Sequence, residues 1–160
     1  MSEVALKRTT VSKSLVRGAV AGLIAGIVGT AAKAVAERIY PPRPKGLAAP
    51  PEVLADRASG GALTAGQTKF AGESIHWLMG ASAGATYGAV AEYYPQVTAK
   101  EGASFGVVLG TLTHEGLLPA VGLVAKPDGQ TPREHASEMT SHIVYGVVTE
   151  VVRSLLRKII

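Results

Sequence analysis

Glu73 stands three residues before His76, and Glu138 stands four before His142. On a helix either spacing puts both side chains on one face, within a turn of each other. His114-Glu115, the pair Lys33 and Glu37, and the single acids Glu92 and Glu150 complete a set of ionisable residues inside otherwise apolar stretches. Three chemistries are open to such a set. Imidazole titrates near neutral pH, so a chain of His and Glu can carry or sense protons. The same groups can bond across helices and fix their register. They can also ligate a metal: Glu73-x-x-His76 matches one pair of a di-iron bundle, but that design needs two such pairs and two further Glu. Haem would take His76, His114 or His142 as an axial ligand, without an attachment motif to support it. The metal assignment stays open, and no cofactor is assigned.

Other chemistry is excluded by what is missing. The chain has no Cys, hence no disulfide and no thiolate metal site. It has no phosphate-binding loop and no dinucleotide fingerprint, and His114-Glu115 is not followed by the second His of a metalloprotease. Ser74, Ser82 and Ser104 lack a patterned His/Asp partner. Nothing specifies an enzyme. The net charge of +4 is dispersed over loops and ends, so nucleic acid is not an expected partner.

The elements that must hold these residues follow from where charge is absent. Residues 18–32 carry no charge; 75–91, 102–125 and 139–152 carry only His, Tyr and isolated Glu. Extended to their natural ends they give four segments of roughly 20 residues, the length that crosses ~30 Å of hydrocarbon. A soluble bundle, the competing possibility, would show a charged stripe along each helix. The expected fold is therefore all-α: an integral membrane bundle of four helices over about 18–40, 72–94, 102–125 and 135–157, in one domain covering 1–160. Tyr40-Pro41-Pro42 must end the first helix. Residues 41–71 read as a Pro/Gly-rich loop with one amphipathic turn around 51–58. Pro119 should kink the third helix and free the Glu115 carbonyl. Arg153, Arg157 and Lys158 are placed to snorkel from the end of the fourth.

Glycine is abundant, 19 in 160 residues, and regularly placed. Gly18, Gly22 and Gly26 form one ladder, Gly80, Gly84 and Gly88 a second, Gly102, Gly106 and Gly110 a third. Lipid supplies no hydrophobic drive between helices, so small residues four apart mark where backbones approach. The ladders lead onto the ionisable residues: His76 and Glu92 bracket the second and His114 extends the third. A parallel row in the last helix reads Glu138, His142, Gly146, Glu150. Charge at mid-membrane costs roughly 2.5–3.5 kcal/mol, so such groups should face protein.

Partners expected on this basis are the lipid bilayer and either further copies or other membrane subunits. Lys7, Arg8, Lys13 and Arg17 precede the first helix, which places both termini in the cytoplasm by the positive-inside rule. A secretory leader ending near Ala32-Lys33-Ala34 is the competing account of this segment.

From His76 onward the chain resembles the YagU-like family of bacterial inner-membrane proteins, a domain family of unknown function. The matching stretches are His76; Tyr87 and Ala-Val-Ala-Glu92 before an aromatic-Pro turn; His114 with Pro119 and Gly122; Ser137-Glu138 with His142; and Glu150 with the basic end. Ala36-Glu37 before Pro41-Pro42-Arg43 resembles the end of that family's first helix. The resemblance implies a multi-pass inner-membrane protein linked to acid tolerance. It implies no reaction and no cofactor. The function expected is a buried His/Glu core that responds to protons or handles ions. The alternatives are an assembly subunit docking a partner through its small-residue faces, and a metal- or haem-binding membrane protein.

Overall fold

The computed structural model describes residues 13–160, and every regular element among them is helical. Lys7 and Arg8, half of the basic cluster used to orient the chain, lie outside the described residues. Helix α1 runs Leu15–Ile39, with the Ser14 hydroxyl accepting from the Arg17 N–H at 3.3 Å. It ends where Pro41 follows Tyr40. Helix α2, Pro50–Ala58, is the short element expected inside the loop. Helix α3 runs Ala65–Ala91. It starts before the expected residue 72 because Thr64 and Gln67 cap it reciprocally: the Thr64 N–H donates to Gln67 Oε1 at 2.9 Å. A polar first turn inside a Pro/Gly-rich stretch hid that start. Pro95 forces Tyr94 out of helical geometry (ψ 78°) and sets the end.

The third predicted span, 102–125, departs most from expectation. Lys100, Glu101 and Gly102 all take positive φ (53°, 51° and 84°), a tight left-handed entry into α4, Ala103–Gly110. The chain then widens into a π-helix, Thr111–Leu117, closed by the Leu118 N–H on the Thr113 carbonyl. After one turn, α5, Leu118–Ala120, it stops. Pro119 has no N–H for the Glu115 carbonyl, and widening to the five-residue bond pattern re-satisfies the neighbouring backbone. Gly122 (φ 69°) then breaks the helix, with the Leu123 N–H returning to the Leu118 carbonyl at 2.9 Å. Helix α6, Pro132–Leu156, starts on Thr131, whose hydroxyl accepts from the Glu134 N–H at 3.2 Å.

Close packing runs in the order α3, α1, α6, α4, with α2 laid across α3. Glycine sets each contact. A Cβ on Gly84 would stand 2.6 Å from the Cα of Gly26 and closer still to the Gly22 carbonyl. Gly18 faces Gly88, and Gly80 faces Thr30. Across the second pair of helices, a Cβ on Gly146 would meet the backbone of Gly102 and Gly106, and Gly106 faces the His142 carbonyl. Helices α3 and α4 are held apart at one end and bridged at the other by Tyr87 stacked on Phe105, ring centroids 4.1 Å apart.

The interior this packing makes is inverted. Its buried apolar residues are Ala21, Ala25, Ala55, Ala91 and two tyrosines, Tyr87 and Tyr145. Buried beside them are Thr30, His114, Ser137, Glu138, Ser141, His142, Thr149, Arg153 and Arg157. No Leu, Ile, Val, Met or Phe among the described residues is buried, while Val16, Val20, Leu23, Ile24, Ile27 and Val28 line the outside of α1. Helix α1 is long and apolar enough to cross a membrane.

Gly84→Ala should cost at least the ~1–3 kcal/mol typical of overpacking, because backbone atoms of α1 block the new methyl. Gly66→Ala, where nothing stands within 4 Å, should leave stability unchanged or slightly raised. Melting curves of the two purified variants in one detergent check this; equal melting points would show that α1 and α3 do not meet this closely.

Candidate functional site

Glu138 stands in the second turn of α6 with its side chain 3% exposed, and three other segments converge on it. Arg43 donates from Nη2 to Glu138 Oε1. It reaches there because Pro41 and Pro42 turn the chain back over the end of α1, where the Ser137 hydroxyl also donates to the Tyr40 carbonyl. Lys33, from α1, lies 3.6 Å from Glu138 Oε2 and pairs with Glu37 one turn on. His114, from the π-helix, brings Nε2 to 3.3 Å from Glu138 Oε1. The angle there does not make a hydrogen bond, so Nε2 is buried without a partner. His142 Nδ1 lies 2.8 Å from the Glu138 backbone carbonyl, which makes Nδ1 the protonated nitrogen of that ring and a donor along the helix. The two imidazoles sit 6.3 Å apart. Gly110 leaves room for the His142 ring: a Cβ there would touch its Cβ and Cγ at 3.1 Å.

This cluster forms one end of a cavity of about 440 Å³ between α3 and the α4–α5 segment, roofed by α2. Glu37, Glu73 and His76 line it as well. Tyr145 forms part of its floor and donates from its hydroxyl to the Gly80 carbonyl at 2.6 Å.

The remaining predicted site residues lie elsewhere. Glu92, at the end of α3, takes Arg157 in a two-point fork, Nε to Oε1 at 2.5 Å and Nη2 to Oε2 at 2.7 Å, and also accepts from the Ser14 N–H at 3.0 Å. Glu150 takes Arg153 the same way, at 2.7 and 2.8 Å, and accepts from the Tyr87 hydroxyl at 2.7 Å. Arg153 and Arg157 therefore do not snorkel; they are buried, Arg153 against Glu150 one turn back and Arg157 against Glu92 at the end of α3. Glu115 is not part of the Glu138 cluster. It pairs with His135 Nδ1 at 2.8 Å, outside the cavity, where His135 Nε2 also meets the Pro127 carbonyl at 3.0 Å. Among the described residues no three His, Asp or Glu side chains stand where they could hold a metal ion together, so Glu73-x-x-His76 completes no metal centre.

Sequence reasoning missed Arg43 as a partner of Glu138, and missed His135, which lies outside the four-residue row Glu138, His142, Gly146 and Glu150. Arg43 had one signal: it follows a Pro-Pro turn at a helix end, where the chain must double back.

Residues 27–151, most of the chain, match the family model described as protein of unknown function (DUF1440). The chain belongs to that family. The matched region contains Lys33, Arg43, His114, Glu138 and His142, so the whole cluster lies within the family domain. Comparison with curated proteins found no match, and comparison with solved structures found none.

Breaking a buried pair strands the surviving charge at a cost of ~3–5 kcal/mol, whereas removing both partners is far milder. Glu138→Leu should therefore destabilise by that order, and adding Arg43→Leu should recover most of the loss, since Lys33 keeps Glu37. Thermal melts of the single and double variants decide it. A double variant as unstable as the single would mean that Arg43 and Glu138 are not energetically coupled.

Proposed function

We propose that this is a multi-pass protein of the bacterial inner membrane whose Glu138 cluster is a proton-responsive core, with acid tolerance as its setting. The observation that carries the reading is the inverted interior: small and charged residues inside, Leu, Ile and Val outside. In water that arrangement would expose a continuous apolar surface; in lipid it is the expected one. Spans α3, α4–α5 and α6 are less apolar than α1 by composition, and the charges within α6, Glu138 and Glu150, are turned into the protein. That lowers mean hydropathy without presenting charge to lipid. The Glu92 and Glu150 forks close the end that carries the C-terminus, and both termini are assigned to the cytoplasm. In this arrangement the cavity faces the opposite side.

The response follows from what meets at Glu138. The groups facing it are Lys33 and Glu37 from α1, Arg43 from the loop, His114 from the π-helix and His142 from α6, with His76 and Glu73 across the cavity on α3. A proton on Glu138 removes the carboxylate that Lys33 and Arg43 share. Arg43 then loses the carboxylate it bonds, and the 41–49 loop loses its ionic tie to α6, leaving the bond from Arg133 Nε to the Pro41 carbonyl. His114, with Nε2 unbonded at 3.3 Å, is the group placed to exchange that proton.

An assembly subunit that docks a partner through its glycine faces is less well supported. Gly18, Gly22, Gly26, Gly80, Gly84, Gly88, Gly102, Gly106 and Gly146 all face residues of this same chain. A second copy or another subunit would have to pack on the Leu/Ile/Val exterior.

The chain has no Cys, so Lys45→Cys with a nitroxide label reports the loop alone. Label mobility should rise on acidification, and Glu138→Gln, which mimics the protonated acid, should show the mobile spectrum already at neutral pH. Cells carrying Glu138→Gln or His114→Ala should survive acid less well than wild type at equal membrane levels. A spectrum indifferent to pH, together with unchanged survival, would sink the proposal.

A further inference from the structure

The charged cluster occupies one end of the cavity, and the rest is apolar. Leu54, Met79, Ala83, Leu109, Leu117 and Leu118 form the walls. At about 440 Å³ the space falls within the roughly 300–1,000 Å³ of small-molecule sites. Its charge is unbalanced. Four carboxyls line it, Glu37, Glu52, Glu73 and Glu138, against two fixed cations, Lys33 and Arg43.

Within the protein these carboxyls are unequally used. Glu138 holds Arg43, Glu37 holds Lys33, and Glu52 accepts from the Ala49 N–H at 3.3 Å to cap α2. Glu73, one turn before His76 at the mouth, makes no hydrogen bond or ion pair. A second group is unused at the inner end: His114 Nε2, in a residue 3% exposed, has no partner. The cavity thus offers apolar walls, a surplus carboxylate at the mouth and an open nitrogen in its depth.

We propose that this cavity is a binding site for a lipophilic organic monocation, an ammonium or onium centre carried on an apolar body. An anion of the same shape would face the surplus carboxylates. An uncharged hydrocarbon would gain nothing from Glu73; an ammonium with a free N–H could in addition donate to His114 Nε2. Glu73, exposed at the mouth, supplies the attraction for the cationic centre, and the apolar walls take the body. The cavity lies between α3 and the α4–α5 segment, away from the end that Tyr87 and Phe105 bridge, and an entrance for such a molecule between these helices follows from that placement. The proposal shares its site with the proton-responsive reading and rests on it only for placing that entrance toward lipid.

Tetraphenylphosphonium and tetraphenylborate, alike in shape and opposite in charge, make the test. Each is titrated by equilibrium dialysis into the purified full chain in neutral detergent near neutral pH, against protein-free micelles. The phosphonium should bind saturably and at least ~10-fold more tightly than the borate. Glu73→Gln, an exposed position that does not threaten folding, should weaken phosphonium binding by ~3–10-fold. Ala83→Trp, which fills the cavity, should abolish saturable binding, while Leu78→Trp on the exterior should not. Borate binding equal to or tighter than phosphonium overturns the proposal, as does phosphonium binding that neither Glu73→Gln nor Ala83→Trp alters. No saturable binding by protein with an unchanged melting curve overturns it too. A pH-dependent label at residue 45 without phosphonium binding removes the ligand and keeps the proton response. The reverse result does the opposite.

Discussion

Where a Cβ on Gly22 would stand, the carbonyl of Gly84 already sits. The rest of the molecule depends on that backbone-to-backbone approach and on its counterpart at Gly146 and Gly106. Helices this close leave no volume between them for Leu or Ile, so the large apolar side chains are displaced to the outside. Attraction must come from many short van der Waals contacts along glycine and alanine faces. Long polar side chains fit only where the helices diverge, at the two ends. Both charge clusters are consequences of the same packing.

The two ends use the same residue types to different effect. At one, Glu92 with Arg157 and Glu150 with Arg153 are matched fork to fork, and each carboxylate takes a further donor, the Ser14 N–H or the Tyr87 hydroxyl. Every group is satisfied, and the arrangement ties α1, α3 and α6 together. At the other, Glu138 is surrounded by more candidate partners than it can bond, and His114 is left over. A complete network rigidifies; an incomplete one has alternative arrangements of similar energy. The incomplete end is also the one with a cavity and a π-helix, a distortion that concentrates at functional sites.

Much of this was legible in the sequence, and the illegible parts share a cause. Glycines four apart name the faces that meet, because that requirement is local to one helix. The end of α1 is local too, set by Pro41; the starts of α1 and α6 lie three residues before the expected 18 and 135, where Ser14 and Thr131 cap them. Arg43 was not legible, because its role depends on where two prolines aim a loop in space. Arg153 and Arg157 read as end anchors in sequence; their burial depends on where the carboxylates of Glu150 and Glu92 stand in space. The π-helix had a cue in Pro119, but a proline permits a kink, a break or a widened turn, and neighbours choose among them. His135 and Glu115 pair across a turn that no helical period describes.

Composition is a poor guide to such a chain for a related reason. Hydropathy averages a helix over all its faces, and among the described residues only α1 is long and apolar enough on that average to cross a membrane. What the surroundings of a helix meet is the outer face alone. On α6, Glu138, His142, Glu150 and Arg153 are buried or half-buried, while Val151 and Leu155 are exposed. The average registers the buried charges at full cost, although each has been transferred to a partner inside the protein. A helix whose charges are all matched internally is more apolar to its surroundings than its sequence suggests. Glu138 is where that matching is least complete, so a change in one proton there alters how much charge the protein must hide.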